Sequence, residues 1–95
     1  MENSDFLILD EILIRYNGSK ENVVIPDTVS KIAKNAFKDC RSIKSVTIPN
    51  SVTHIGECAF HSCKHLERII FPKSNIKIAS YAFAVCENLL SVNLP

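Results

Sequence analysis

Ninety-five residues and 10.6 kDa allow one compact domain and little more. Eleven Lys and Arg against ten Asp and Glu leave a net charge of +1, too even for a protein that grips nucleic acid or anionic lipid through bulk charge. No apolar run approaches the roughly 18 residues of a membrane-spanning helix, and the opening Met1-Glu2-Asn3-Ser4-Asp5 lacks the basic start of a signal peptide.

Residues 6–22 come first in chain order. Phe6, Ile8, Ile12, Ile14 and Tyr16 show a rough alternation, the period of a strand pair. Asp10-Glu11 suits a tight turn, and Asn17-Gly18 marks a second one leading through Ser19-Lys20 to the next strand. The expectation is a β-hairpin in residues 1–22 that caps the rest of the chain, its second arm running back against a strand at 22–25.

From residue 23 the chain repeats. Prolines stand at 26, 49, 72 and 95, each 23 residues after the last. The units are VVIPDTVSKIAKNAFKDCRSIKS (23–45), VTIPNSVTHIGECAFHSCKHLER (46–68) and IIFPKSNIKIASYAFAVCENLLS (69–91), with VNLP (92–95) opening a fourth. Val23, Val46, Ile69 and Val92 form one apolar column. Ile25, Ile48, Phe71 and Leu94 form another two residues on. Period two in a β-branched run predicts a strand with one face buried, ended by the proline that cannot donate to a ladder. Ile32, Ala36, Phe37, Cys40 and Ile43 then follow at spacings that suit one face of a short helical stretch. The second unit holds Ile55, Ala59, Phe60, Cys63 and Leu66 there, and the third Ile78, Ala82, Phe83, Cys86 and Leu89.

One such unit cannot bury its apolar face alone, whereas stacked copies can. The expected fold is α/β. It is a leucine-rich-repeat solenoid of 23-residue coils with a parallel β-sheet on its concave side, short helical segments on the other, and the N-terminal hairpin as a cap. The phenylalanines should pile into an internal stack, and consecutive strands should pair in parallel about 4.8 Å apart. In the third unit Asn75 replaces Val29 and Val52, with Ile76 one place late, so a local distortion or an edge effect is expected there.

Ile43-Lys44-Ser45-Val46-Thr47-Ile48-Pro49 follows an LxxLxL strand signature. The phrase IP–x–S/T–V–x–x–I–x–x–x–A–F–x–x–C–x–x–L resembles the BspA-like, or Treponema-type, leucine-rich repeats over residues 23–95. The preceding segment resembles that family's FxIxxxxLxxYxG lead-in. The resemblance implies a bacterial or protozoal surface or secreted adhesin-like protein that binds other proteins, with no catalysis by the repeat itself. It departs from ordinary leucine-rich repeats in lacking an Asn or Cys ladder after the strand. Thr28, Ser51 and Ser74 stand nearest and should serve the turn backbone with their hydroxyls. The resemblance suggests the cell exterior, while unbridged thiols fit a reducing compartment equally well.

Chemistry-bearing residues are few. Cys40, Cys63 and Cys86 share one column and are expected as small buried hydrophobes with free thiols. Cys58 stands outside it. Cys58, His61, Cys63 and His65 lie within eight residues, which on paper are zinc-type ligands or a thiol–imidazole pair. However, Cys63 should point inward and His61 and His65 outward, which argues against a shared metal. His54 aligns with Lys31 and Lys77 as a solvated side chain, and Gly18 and Gly56 stand alone, far from a phosphate loop. Neither an enzyme nor a cofactor is expected.

What remains is the strand face. Its columns are Glu21, Lys44, Glu67 and Leu90; Asn22, Ser45, Arg68 and Ser91; and Val24, Thr47, Ile70 and Asn93. Lys44, Ser45, Thr47, Glu67, Arg68, Ile70, Leu90, Ser91 and Asn93 are the expected binding residues for a protein or peptide partner, without nucleic acid or membrane insertion. The alternatives are a purely structural cap with the first coils of a longer array, and a thiol or metal site at Cys58/His61. Four strands span about 15 Å, short for a full interface of roughly 800 Å² per partner. Because the chain stops four residues into a unit, it is expected to be cut from a longer array, with self-association through an uncapped C-terminal coil.

Overall fold

A computed structural model describes residues 5–89 and the backbone of 91–93. Among the described residues nine short strands make two sheets. Among the described residues there is no helix.

The first sheet carries the apolar column read from the repeat. Strands β3 (Asn22–Val24), β5 (Ser45–Thr47), β7 (Arg68–Ile70) and β9 (Ser91–Asn93) lie side by side and parallel. Val23 pairs with Val46, Val46 with Ile69, and Ile69 with Val92. Val23, Val46 and Ile69 are buried while their strand neighbours face out, as the two-residue period requires.

The second sheet stands where the helical segments were expected. Strands β4 (Lys31–Ile32), β6 (His54–Ile55) and β8 (Lys77–Ile78) pair in parallel, and a tight series of turns follows each. The backbone explains the absence of helix. Asn35 and Asp39, Cys58 and Ser62, and Tyr81 and Val85 all have positive φ, between 58° and 63°. Two left-handed residues four apart cannot continue a right-handed helix. Instead the amides reach across to the next coil: Phe37 N donates to Ala59 O at 2.7 Å and Phe60 N to Ala82 O at 2.7 Å. Apolar spacings that suit a helix here mark a turn series whose side chains point inward.

The hairpin exists, with a different partner from the one expected. Strands β1 (Phe6–Leu9) and β2 (Ile12–Tyr16) are antiparallel, joined through Asp10 (φ 51°) and Glu11 (φ 66°). Positive φ at both central residues is the mirror-image two-residue turn that matches strand twist. The second arm does not run against 22–25. It extends the second sheet, pairing parallel to β4 with Ile12 opposite Lys31 and Leu13 opposite Ile32. Glu11 O receives Ser30 N at 2.8 Å, and Leu13 O receives Ala33 N at 2.9 Å.

Between the sheets the core is apolar, with no buried charge among the described residues. Phe37 and Phe60 stack with ring centres 4.7 Å apart, and Phe60 and Phe83 at 5.2 Å. Tyr16 adds a ring above Phe37. Burial weakens along the chain. Ile78, on the outermost strand of its sheet, is 39% exposed rather than inside, and Phe83, Cys86 and Leu89 are only partly buried. The expected distortion in the third unit is present. Val29 N and Val52 N donate to the carbonyls of Pro26 and Pro49, a bond without a counterpart from Asn75 to Pro72, and Ile76 packs against the core from one place later.

Candidate functional site: the outer face and edge of the first sheet

The outward-facing residues of the first sheet form three columns. Glu21, Lys44 and Glu67 run along one side; Lys44 Nζ lies 3.9 Å from Glu21 Oε2 with both side chains well exposed, so the pair contributes little. Asn22, Ser45 and Arg68 come next, with Ser45 Oγ donating to Asn22 Oδ1 at 2.8 Å. The third column is Val24, Thr47 and Ile70, in which Val24 is 68% and Ile70 38% exposed. The ladder thus brings together Lys44, Ser45, Thr47, Glu67, Arg68 and Ile70. Ser91 and Asn93 continue two columns through their backbone pairing with Arg68 and Ile70, whereas Leu90 lies outside the described residues.

The thiols do something that column reading missed. Cys63 Sγ donates to Phe37 O at 3.0 Å, and Cys86 Sγ to Phe60 O at 3.1 Å. Each cysteine ties its coil to the aromatic residue of the coil before. Burial pushes the Cys63 thiol from its ordinary 9.0 up to about 12, and raises Cys40 and Cys86 as well. All four cysteines are unbridged. A protonated thiol donating to a carbonyl is a poor nucleophile. Cys58, the cysteine outside the column, occupies a left-handed position, and the nearby His61 Nδ1 meets Ser62 Oγ at 2.9 Å. His65 and His54 are exposed, with His54 Nδ1 against Thr53 Oγ1 at 2.8 Å. Among the described residues no three of His, Cys, Asp and Glu gather as a metal site would need.

The hydroxyl ladder also sits elsewhere than expected. Ser51 Oγ is buried without a partner, and of the Thr28, Ser51 and Ser74 column only Ser74 bonds turn backbone, to Asn50 O at 3.4 Å. The working hydroxyls are Ser30, donating to Glu11 O, and Thr53, donating to Ser30 O, both at 3.3 Å. They share one column of the 23-residue alignment, a signal already present in the sequence.

Beside β3 lies a pocket of about 140 Å³, formed by Phe6 and Tyr16 of the hairpin, by Asp5 and Lys20 flanking it, and by the strand itself. Nothing in the repeat pattern announces it, because it depends on where the hairpin docks.

Two sheets of mainly parallel strands, with an aromatic stack and in-register apolar columns, define a leucine-rich-repeat fold. The family model described as "BspA type Leucine rich repeat region (6 copies)" matches residues 14–95, and the chain belongs to that family. A leucine-rich repeat protein of Treponema pallidum is 31% identical with a TM-score of 0.91. It is covered over 50% of its length by 100% of this chain. A leucine rich cell surface protein of Faecalibacterium prausnitzii A2-165 is 27% identical with a TM-score of 0.81, with 98% of this chain covering 29% of it. A leucine-rich repeat protein of Bacteroides capillosus is 25% identical with a TM-score of 0.75, with 95% of this chain covering 83% of it. This chain therefore spans half or less of the length of the first two. No match was found among curated proteins.

Proposed function

We propose that the protein is a non-enzymatic interaction module that docks a protein or peptide on the outer face of its first sheet. The observation carrying this reading is the exposed apolar pair Val24 and Ile70, set on a rigid ladder beside Arg68, Lys44 and Glu67. Aliphatic and Arg anchors ringed by polar groups suit a protein partner. A preorganised sheet loses little entropy on binding. The Faecalibacterium relative, a leucine rich cell surface protein, lends weight to a bacterial surface or adhesin-like setting. Within this reading residues 1–22 serve as the cap, and 23–45, 46–68, 69–91 and 92–95 as successive coils. The test uses a defined partner measured by titration calorimetry. Arg68→Ala and Ile70→Ala should each weaken binding about tenfold or more, while Lys34→Ala, on the second sheet's side, should not. Unchanged affinity in the first two variants counts against this face.

A second reading is structural: a cap and first coils of a longer array, which associates through its last coil. Its support is the 39% exposure of Ile78 and the short span of this chain on its first two relatives. Concentration-dependent light scattering that Ile78→Lys abolishes would favour it.

A further inference from the structure

The two sheets end differently at the N-terminal side. The hairpin pairs with β4 and covers the edge of the second sheet. In the first sheet β3 is an edge strand. Ser45 N donates to Glu21 O and Ile25 N to Thr47 O, both at 3.1 Å, so residues 21, 23 and 25 turn their backbone groups toward β5. Asn22 and Val24, which alternate with them, turn theirs outward. Among the described residues, the N–H and C=O groups of both lack backbone partners. Such groups are a template for another strand.

The pocket lies against this same edge, and Val23 is among its walls. Val23 ends the buried column Val23, Val46, Ile69. A strand added outside β3 would alternate its side chains in the same way, and its inward residue would continue that column, between Val23 and the rings of Phe6 and Tyr16. A space of about 140 Å³ is close to the roughly 150 Å³ cavity that takes a benzene-sized apolar group. Asp5, Lys20 and Asn22 supply polar atoms around it.

We propose that the free edge of β3 and its adjoining pocket form a second binding site, which captures an extended segment of a different protein by strand addition. The segment carries a Val, Ile or Leu side chain between two polar residues, the pattern of the strands already in the ladder. Backbone bonds to Asn22 and Val24 give affinity, and the pocket selects the central side chain. This site borders the outer face at Asn22 and Val24, but Arg68 and Ile70 stand two strands away on β7, so Arg68→Ala and Ile70→Ala should leave it intact.

The probe is an acetylated and amidated peptide SIKSVTIP, the sequence of residues 42–49, titrated into the whole chain under NMR observation. The Asn22 and Val24 amides should shift, and their hydrogen exchange should slow by about tenfold or more on saturation. Of two peptides N-methylated at successive central residues, one should bind about tenfold more weakly and the other as before, because only alternate amides face the edge. Replacing the peptide's Val with Asp should abolish binding. No binding at millimolar peptide overturns the proposal, as do shifts confined to other strands or indifference to both methylations. Protection of Asn22 and Val24 in a dimer without peptide overturns it in favour of a second copy of the chain. Binding that appears only after removal of residues 1–4 overturns it in favour of the chain's own first residues.

Discussion

Tyr16 lies over Phe37 with ring centres 5.2 Å apart and planes 25° apart, so the last residue of the hairpin is the first ring of the internal stack. Twenty-one residues separate the two, against 23 between Phe37 and Phe60. The hairpin thus matches the coils in space without matching them in length. Phe6 closes the series from outside at 5.2 Å from Tyr16.

Removing a ring from this stack leaves a hole that rigid coils cannot close. Tyr16→Ala and Phe60→Ala should each cost about 3–5 kcal/mol. Phe83→Ala should cost less, since Phe83 is only partly buried. Tyr16→Phe removes the acceptor for Lys20 N at 3.2 Å and should cost about 1 kcal/mol. Urea unfolding of the four variants checks the order; equal losses at positions 60 and 83 would contradict the burial gradient.

Val85 holds φ 58° with a β-branched side chain that is 50% exposed. A left-handed conformation disfavours any Cβ, and a branched one most. Val85→Gly should stabilise the fold by about 1 kcal/mol despite the greater freedom of the unfolded chain, with Val85→Asn close behind. A lower thermal midpoint in both variants would show that the side chain is held there by packing.

Gly56 presents a different case, because its φ is not positive. A Cβ there would stand 2.6 Å from Lys34 N and 2.8 Å from Ala33 C, both backbone atoms of the neighbouring coil. Gly56 N also donates to Ile32 O at 2.7 Å, which holds the coils close. Gly56→Ala should therefore destabilise by about 1–3 kcal/mol, although Ala33 and Ala79 occupy the same column of the repeat. Differential scanning calorimetry distinguishes this from the neutral outcome that column averaging implies.

Stability should fall at high pH. Burial raises the thiols of Cys40, Cys63 and Cys86 and the Tyr16 hydroxyl above their ordinary values, Cys63 reaching about 12. The unfolded chain releases these protons first, so above pH 9 it binds fewer protons than the folded one, and unfolding gains with each step upward. The contribution of Cys63 is complete below about pH 9 and is lost as pH rises toward 12. Urea midpoints at pH 8, 9.5 and 10.5 should decline, and Cys63→Ala should flatten the decline while lowering all three. An unchanged slope in that variant would rule out this thiol as a source.

The sequence alone determined the period, most of the apolar columns and the stacking of Phe37 on Phe60 and of Phe60 on Phe83, because a strict repeat forces like side chains over like. It also marked the strand face through alternation. It misled over the turn series. A helix and a chain of left-handed turns can share inward spacings, and only φ at residues such as Asn35 and Asp39 separates them. Tertiary structure alone decided that the hairpin joins the second sheet, that Cys63 bonds the carbonyl of Phe37, and that β3, the edge strand among the described residues, borders a pocket. Each of these depends on how a segment without repeat symmetry, or a single polar atom, finds a partner across coils, and periodicity records which residues point inward but not what they meet there.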